Sequence, residues 1–234
     1  MSLVTTKPEI EYPDSDGEPI AENTLQFRWI VTLHGGLTVL FRDRPDVFVA
    51  GDLLWYPVEG DNTYRMAPDA MVVFGRPKGD RGSYMQWREE GIAPQVVFEV
   101  LSPGNRAGEM ENKRRFYERH GVEEYYLYDP DRITLVGWLR AGELLRPIAV
   151  MDGWTSPRLG IRFEMGGEEL QILGPDGRPF TTFQETAELS ERAQVRADVA
   201  EDRADRERDR ADRERERADR LVALLRAQGI EPEP

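Results

Sequence analysis

The periods of apolar and polar positions divide this chain into two unlike parts. In "QVVFEVLSPG" (95–104) five apolar residues surround one carboxylate, and the run has the length and β-branched content of a buried strand. Similar runs predict strands at 37–41 ("LTVLF"), 47–57 ("VFVAGDLLWYP"), 67–74 ("APDAMVVF") and 123–129 ("EEYYLYD"). Helical spacing takes over in "AENTLQFRWIVTLHGG", where Leu25, Trp29 and Leu33 or Thr32 form a stripe. It predicts a helix from about Glu22 to His34, ended by Gly35-Gly36. A second stripe of Met110, Lys113, Phe116, Tyr117 and His120 predicts a helix from about Glu109 to His120, closed by Gly121. Residues 75–94 are rich in turn formers and read as an exposed loop, and 133–183 as a meander of short strands. The class is α/β or α+β, a mixed sheet flanked by helices.

Near residue 185 the pattern changes. "ETAELSERAQVRADVAEDRADRERDRADRERERADRLVALLRAQG" is almost free of aromatics, Gly and Pro, and repeats "RADRERD" with a period of seven. Opposite charges four residues apart recur, as in Glu188 with Arg192, Asp202 with Arg206, Asp209 with Arg213 and Glu216 with Arg220. Each such pair supports a helix by roughly 0.2–0.5 kcal/mol. Ala197, Ala204, Ala211, Ala218 and Leu225 share one heptad position, but the companion seam of Ala200, Glu207, Glu214 and Leu221 is charged for two heptads. A solvated single helix, an oligomerisation helix and a helix folded back on the domain all remain open. The division expected is a domain over 1–184, a charged heptad helix over 185–229 and a tail over 230–234.

Composition narrows the setting. There is no cysteine, hence no disulfide framework, thiolate metal site or cysteine nucleophile. No apolar run reaches membrane-spanning length, and "MSLVTTKPEIEYPDSDGEP" lacks a basic segment followed by an apolar stretch, so a cytoplasmic protein without a membrane partner is expected. The formal net charge of −13 argues against broad, sequence-independent binding to nucleic acid. It leaves room for a local basic groove, or for a metal offsetting carboxylates.

The buried strand raises a chemical question. Alternation puts Val97, Glu99 and Leu101 on one face and Val96, Phe98 and Val100 on the other, so Glu99 sits among apolar side chains. An ionised carboxylate there needs a cation, a metal or a raised pKa. Asp69, at the start of the preceding strand, brings a second carboxylate, and Lys113, on the inward stripe of the next helix, brings a cation. Taken singly, each has a plain structural reading. Glu99 with Lys113 makes a buried ion pair, Asp69 a turn residue after Pro68, and Glu22 a first-turn acid favoured by the helix dipole. Asp52 reads as a strand-edge or turn group and Asp129, before Pro130, as a turn residue.

Together, Pro68-Asp69, "FEVLSP" at 98–103 and a lysine in the next helix resemble the PD-(D/E)XK nuclease superfamily. More closely, "PDAMVVF…APQVVFEVLSPGN…KRRFYERHGVEEYYLYDP" resembles the Uma-two family of restriction-endonuclease-like proteins, over about residues 20–184. The resemblance implies a restriction-endonuclease-like fold and a metal-dependent endonuclease acting on DNA. Asp69 and Glu99 would bind Mg²⁺ or Mn²⁺, with the Val100 carbonyl as a further oxygen and Glu22 as a supporting acid. Leu101 stands where the superfamily motif has its lysine, and Lys113 is the replacement, assisting the attacking water.

Arg76, Lys78 and Arg81 in the loop 75–94, with Tyr84 and Trp87 nearby, are candidates for contact with a nucleic-acid backbone. Asp80, Glu89 and Glu90 dilute that charge and leave an ordinary solvated loop as the other reading. His34 and His120 lie at helix ends, which argues against a histidine zinc site or a Ser-His-Asp triad. The competing function is a catalytically silent nuclease fold that uses its charged helix to form homo-oligomers or bind a partner.

Overall fold

A computed structural model describes residues 10–15, 17, 19–105 and 107–227; the tail expected at 230–234 and the N-terminal nine residues lie outside the described residues. The chain divides after Thr182 into two compact units. In the first, α1 (Thr24–Leu40) precedes β1 (Val47–Ala50), β2 (Trp55–Tyr56), β3 (Ala70–Phe74), β4 (Tyr84–Met85) and β5 (Val96–Val100). Then come α2 (Ala107–Arg119), β6 (Glu124–Asp129), β7 (Thr134–Ala141), β8 (Leu144–Pro147), β9 (Arg162–Glu164) and β10 (Gln171–Leu173).

Six strands form one mixed sheet in the order β1-β3-β5-β6-β7-β8, and its only parallel pair is β5 with β6. A parallel pair needs a crossover, and α2 supplies it. The expected class and its flanking helices are present. Val96, Phe98 and Val100 face Trp29, Ile30, Leu33 and Leu37 of α1 in one core layer. Val97 faces Phe116 and Tyr117 of α2 in the other, together with Trp55 and Tyr84. Strand alternation therefore assigned the two faces of β5 as they stand.

The first helix departs from its sequence reading. It runs through Gly35-Gly36 to Leu40 and absorbs the strand expected at 37–41. Phe180, far along the chain, packs its ring against Gly36 so closely that a Cβ there would overlap it. The two glycines cost helix stability of about 1 kcal/mol each, which burial of Leu37 and Phe180 in the core layer offsets. Opposite signs are expected for the two alanine substitutions. Gly35→Ala, with open space around it, should stabilise the chain by about 0.5–1 kcal/mol, whereas Gly36→Ala should destabilise it by about 1–3 kcal/mol. Urea unfolding of the two variants checks this; equal signs would mean that Phe180 does not hold the helix together.

The second unit is a single helix, α3 (Phe183–Ala227). The pair Glu188–Arg192 forms, and Arg203–Glu207 and Arg210–Glu214 add pairs of reversed order. Leu189, Val195, Val199, Leu221 and Leu224 are all exposed. Among the described residues, no helix is long and apolar enough to cross a membrane.

Candidate active site

The site is set by the pairing of β3 with β5. Ala70 lies opposite Phe98, so the same antiparallel register carried one step further puts Asp69 opposite Glu99 and on its face. Both carboxylates are nearly inaccessible, with 8% of Asp69 and 2% of Glu99 exposed. Asp69 Oδ2 accepts the backbone N–H of Val100 at 2.6 Å. From α2, one turn apart, Lys113 and Tyr117 reach the same carboxylate. Lys113 Nζ donates to Glu99 Oε2 at 2.7 Å, and the Tyr117 hydroxyl donates to Glu99 Oε1. The structure thus brings Asp69, Glu99 and Lys113 together.

Their electrostatics are coupled. Burial pushes the Asp69 carboxyl well above the usual carboxylate range and the charge of Glu99 pushes it further, against the pull of Lys113 and the Val100 N–H. Burial acts to lower the Lys113 pKa, but the charges of Glu99 and Asp69 outweigh it and leave the ammonium raised. Tyr117, fully buried, is likewise driven far up, first by burial and then by Glu99, and stays a neutral donor.

A cavity of about 420 Å³ opens beside this cluster, and Glu22, Gln26, Asp52, Asp69, Glu109 and Lys113 line it. Among the described residues, four carboxylates and one ammonium group line it. Glu99 is not among the lining residues, whereas Lys113, which covers its Oε2, is.

Two expected site residues have partners within the fold. Glu22 precedes α1 instead of lying on it, and its Oε2 accepts from the Ser102 hydroxyl and from the Gly104 N–H at 3.1 Å. It ties the β5–α2 loop down at the rim of the cavity. The Val100 carbonyl, expected to face a metal, accepts from Gln26 Nε2 at 2.9 Å. Gln26 in turn accepts the Glu22 N–H at 2.9 Å, so its amide is locked in place.

Gln26 carries no signal in the sequence, and Asp52 reads there as a strand-edge or turn group. Asp52 adopts φ 48° and donates its N–H to Pro68 O at 3.0 Å, which bends the chain so that the residue lines the cavity beside Asp69. A third buried carboxylate, Glu124, has no counterpart in the sequence reading. Glu124 accepts from the Tyr126 hydroxyl, the Ser156 hydroxyl and the Arg158 N–H, at the other end of the β5–β6 pair. Neutral donors satisfy it, and it serves to anchor the segment leading to β9. Asp129 accepts the N–H groups of Asp131 and Arg132, as a turn residue does.

The cations expected to meet nucleic acid are occupied within the fold. Arg76 and Arg81 both pair with Glu89, and Lys78 Nζ donates to the carbonyls of Phe41 and Arg42. None of the three lines the cavity. The loop is ordered rather than open, because Tyr84 is fully buried and its hydroxyl donates to Ile92 O. His120 meets the Tyr64 hydroxyl at 3.0 Å, and neither histidine lines the cavity.

A family model described as "Uma2: Putative restriction endonuclease" matches residues 2–166. The chain belongs to this Uma2 family. The match ends before α3 and lies within the first unit. A crystal structure of "a putative nuclease belonging to DUF820" from Anabaena variabilis is similar, with a TM-score of 0.45 and 16% identity, over 59% of this chain and 75% of that one. No curated protein matches this chain.

The Uma2 assignment raises the question of a metal. Among the described residues no three Asp, Glu or His side chains are grouped closely enough to form a metal cluster by themselves. The donor set nevertheless fits a hard cation that keeps several waters. Asp69 faces the cavity and accepts the Val100 N–H through one of its oxygens, and among the described residues Glu22, Asp52 and Glu109 line the same wall.

Proposed function

We propose that this chain is a metal-dependent endonuclease that hydrolyses phosphodiester bonds in DNA. The observation that carries the reading is the meeting of Asp69 and Lys113 at the wall of an acidic cavity with Glu99 directly behind Lys113, in a chain of the Uma2 family. Phosphate is an anion, and a wall with four carboxylates would repel it unless a cation intervened. Asp69 and Glu99 are the residues that would hold Mg²⁺ or Mn²⁺. When bound, such an ion offsets charge on the phosphate and lowers the pKa of a water bound to it. Lys113 supplies an ammonium group at the same wall, able to orient the attacking water or stabilise charge on the phosphoryl oxygens. Gln26 and Glu22 keep the β5 end and the β5–α2 loop in register around these groups.

A silent domain that works through α3 is the second reading. It draws on the saturation of both Glu99 oxygens by Lys113 and Tyr117, and on the exposed Leu and Val side chains of α3, which suit a homo-oligomer. A cleavage time course on supercoiled and single-stranded DNA with Mg²⁺ or Mn²⁺ separates the two. Wild type should cut only with metal, and Glu99→Gln should cut at least about 10²-fold more slowly while remaining folded. No cleavage by either protein would favour the silent domain, and equal cleavage by both would leave Glu99 without a catalytic role.

A further inference from the structure

Resting on that reading, we infer that Lys113 is an exchangeable counter-cation: it holds Glu99 while the site is metal-free and gives it up when a divalent cation is bound. Both oxygens of Glu99 already have a donor, Tyr117 on Oε1 and Lys113 on Oε2. Tyr117 is buried and fixed between aromatic neighbours, stacked on Trp55 and tilted against Tyr125. It has nowhere to go. Lys113 does, because its side chain keeps 17% exposure and lines the cavity while Glu99 does not. A cation entering from the cavity therefore reaches Asp69 directly, but reaches Glu99 only by taking the place of the ammonium group.

Buried carboxylates tolerate one arrangement of charge at a time. Glu99 with Lys113 is compensated, and Glu99 with a divalent cation would be compensated, but Glu99 with neither is an uncompensated buried charge. The exchange has a consequence for the reaction as well. The ammonium group set free stays on α2 at the cavity wall, so it becomes available to the substrate only when the metal is in place. Lys113 is then both a brake on metal binding and a catalytic residue once that brake is released.

Removing the lysine should therefore tighten metal binding even as it abolishes cleavage. Mn²⁺ binding to the full chain, read by electron paramagnetic resonance of the free ion, should be at least about 10-fold tighter for Lys113→Met than for wild type, and Tyr117→Phe should not reproduce the gain. Equal or weaker binding by Lys113→Met would overturn the exchange while leaving the nuclease reading intact. No Mn²⁺ binding by either protein would remove that reading itself. A measurement on unaltered protein covers the case in which the variant fails to fold. The chain has three lysines, Lys7, Lys78 and Lys113. Acetylation of Lys113 under limiting reagent, followed by mass spectrometry, should accelerate several-fold on adding Mn²⁺, with Lys78 as the internal reference. An unchanged Lys113 rate at saturating Mn²⁺ would mean that the lysine never leaves Glu99.

Discussion

Asp69→Asn is expected to slow cleavage by at least about 10²-fold and, in the same protein, to raise the unfolding midpoint of the metal-free chain at neutral and alkaline pH. The stabilisation follows from the sign of the Asp69 shift. Its carboxyl is pushed well above its ordinary value, first by burial and then by Glu99. The folded chain thus binds this proton more tightly than the unfolded one. Stability falls as pH rises from the unfolded pKa, about 3.9, through the raised folded value. Asparagine is neutral throughout and its side-chain oxygen can still accept the Val100 N–H, so the cost disappears while the hydrogen bond stays. The midpoint difference between variant and wild type should be small in acid and grow with pH, as read by thermal unfolding in a buffer series from pH 4 to 9 with chelator present. A variant less stable than wild type at pH 8 would show that the Asp69 charge is compensated without metal. A stability cost carried at a residue needed for chemistry is what a functional site predicts.

The parts of this site that could be read in the sequence are those fixed by local periodicity. Alternation along 96–100 determines the face of Glu99, and the helical stripe from Met110 to His120 returns Lys113 and Tyr117 to that face. The stripe showed Tyr117 as an inward residue but not as a donor to Glu99, because a hydroxyl's partner depends on which strand lies beneath the helix. What stayed hidden depends on contacts between distant segments. Gly36 reads as a helix end until Phe180 is placed on it. Asp52 reads as a strand-edge or turn group until a positive φ and the bond to Pro68 turn it into the cavity. Gln26 is one polar residue on an amphipathic helix, and only the docking of α1 against β5 gives it the Val100 carbonyl. Glu22 sits four residues before that contact, and its role as a tie to Ser102 and Gly104 has no local signature at all. In the loop 75–94, likewise, charge counts cannot say which cations already have partners within the fold.

That loop carries the largest expected stability effect. Glu89 accepts from Arg76 Nε at 2.8 Å and from Arg81 Nε at 2.7 Å, and the three side chains are only 11%, 13% and 14% exposed. Arg81 also lies over the Phe48 ring, 3.9 Å from its centroid. Glu89→Ala leaves two guanidinium groups facing each other in a shielded pocket without their shared acceptor, and should cost about 3–5 kcal/mol in urea unfolding at pH 7. Burial alone would raise the Glu89 pKa, but the two guanidinium groups outweigh it and leave it lowered. The contribution is therefore complete above the unfolded carboxylate pKa, about 4.3, and is lost as pH falls through the lowered folded value. Wild type should then lose more stability than Glu89→Gln in that acid range, and the two curves should converge below it. Replacing all three groups, as Arg76→Met, Glu89→Leu and Arg81→Met together, should recover much of the loss, because the one charge then left without its partner, Glu90, is exposed to solvent. A cost for Glu89→Ala below about 1 kcal/mol would place the cluster among ordinary solvated surface pairs. Arg76 and Arg81 would then be free to meet a phosphate backbone, and the face of the domain that carries Phe48 and Tyr84 would become the place to look for DNA.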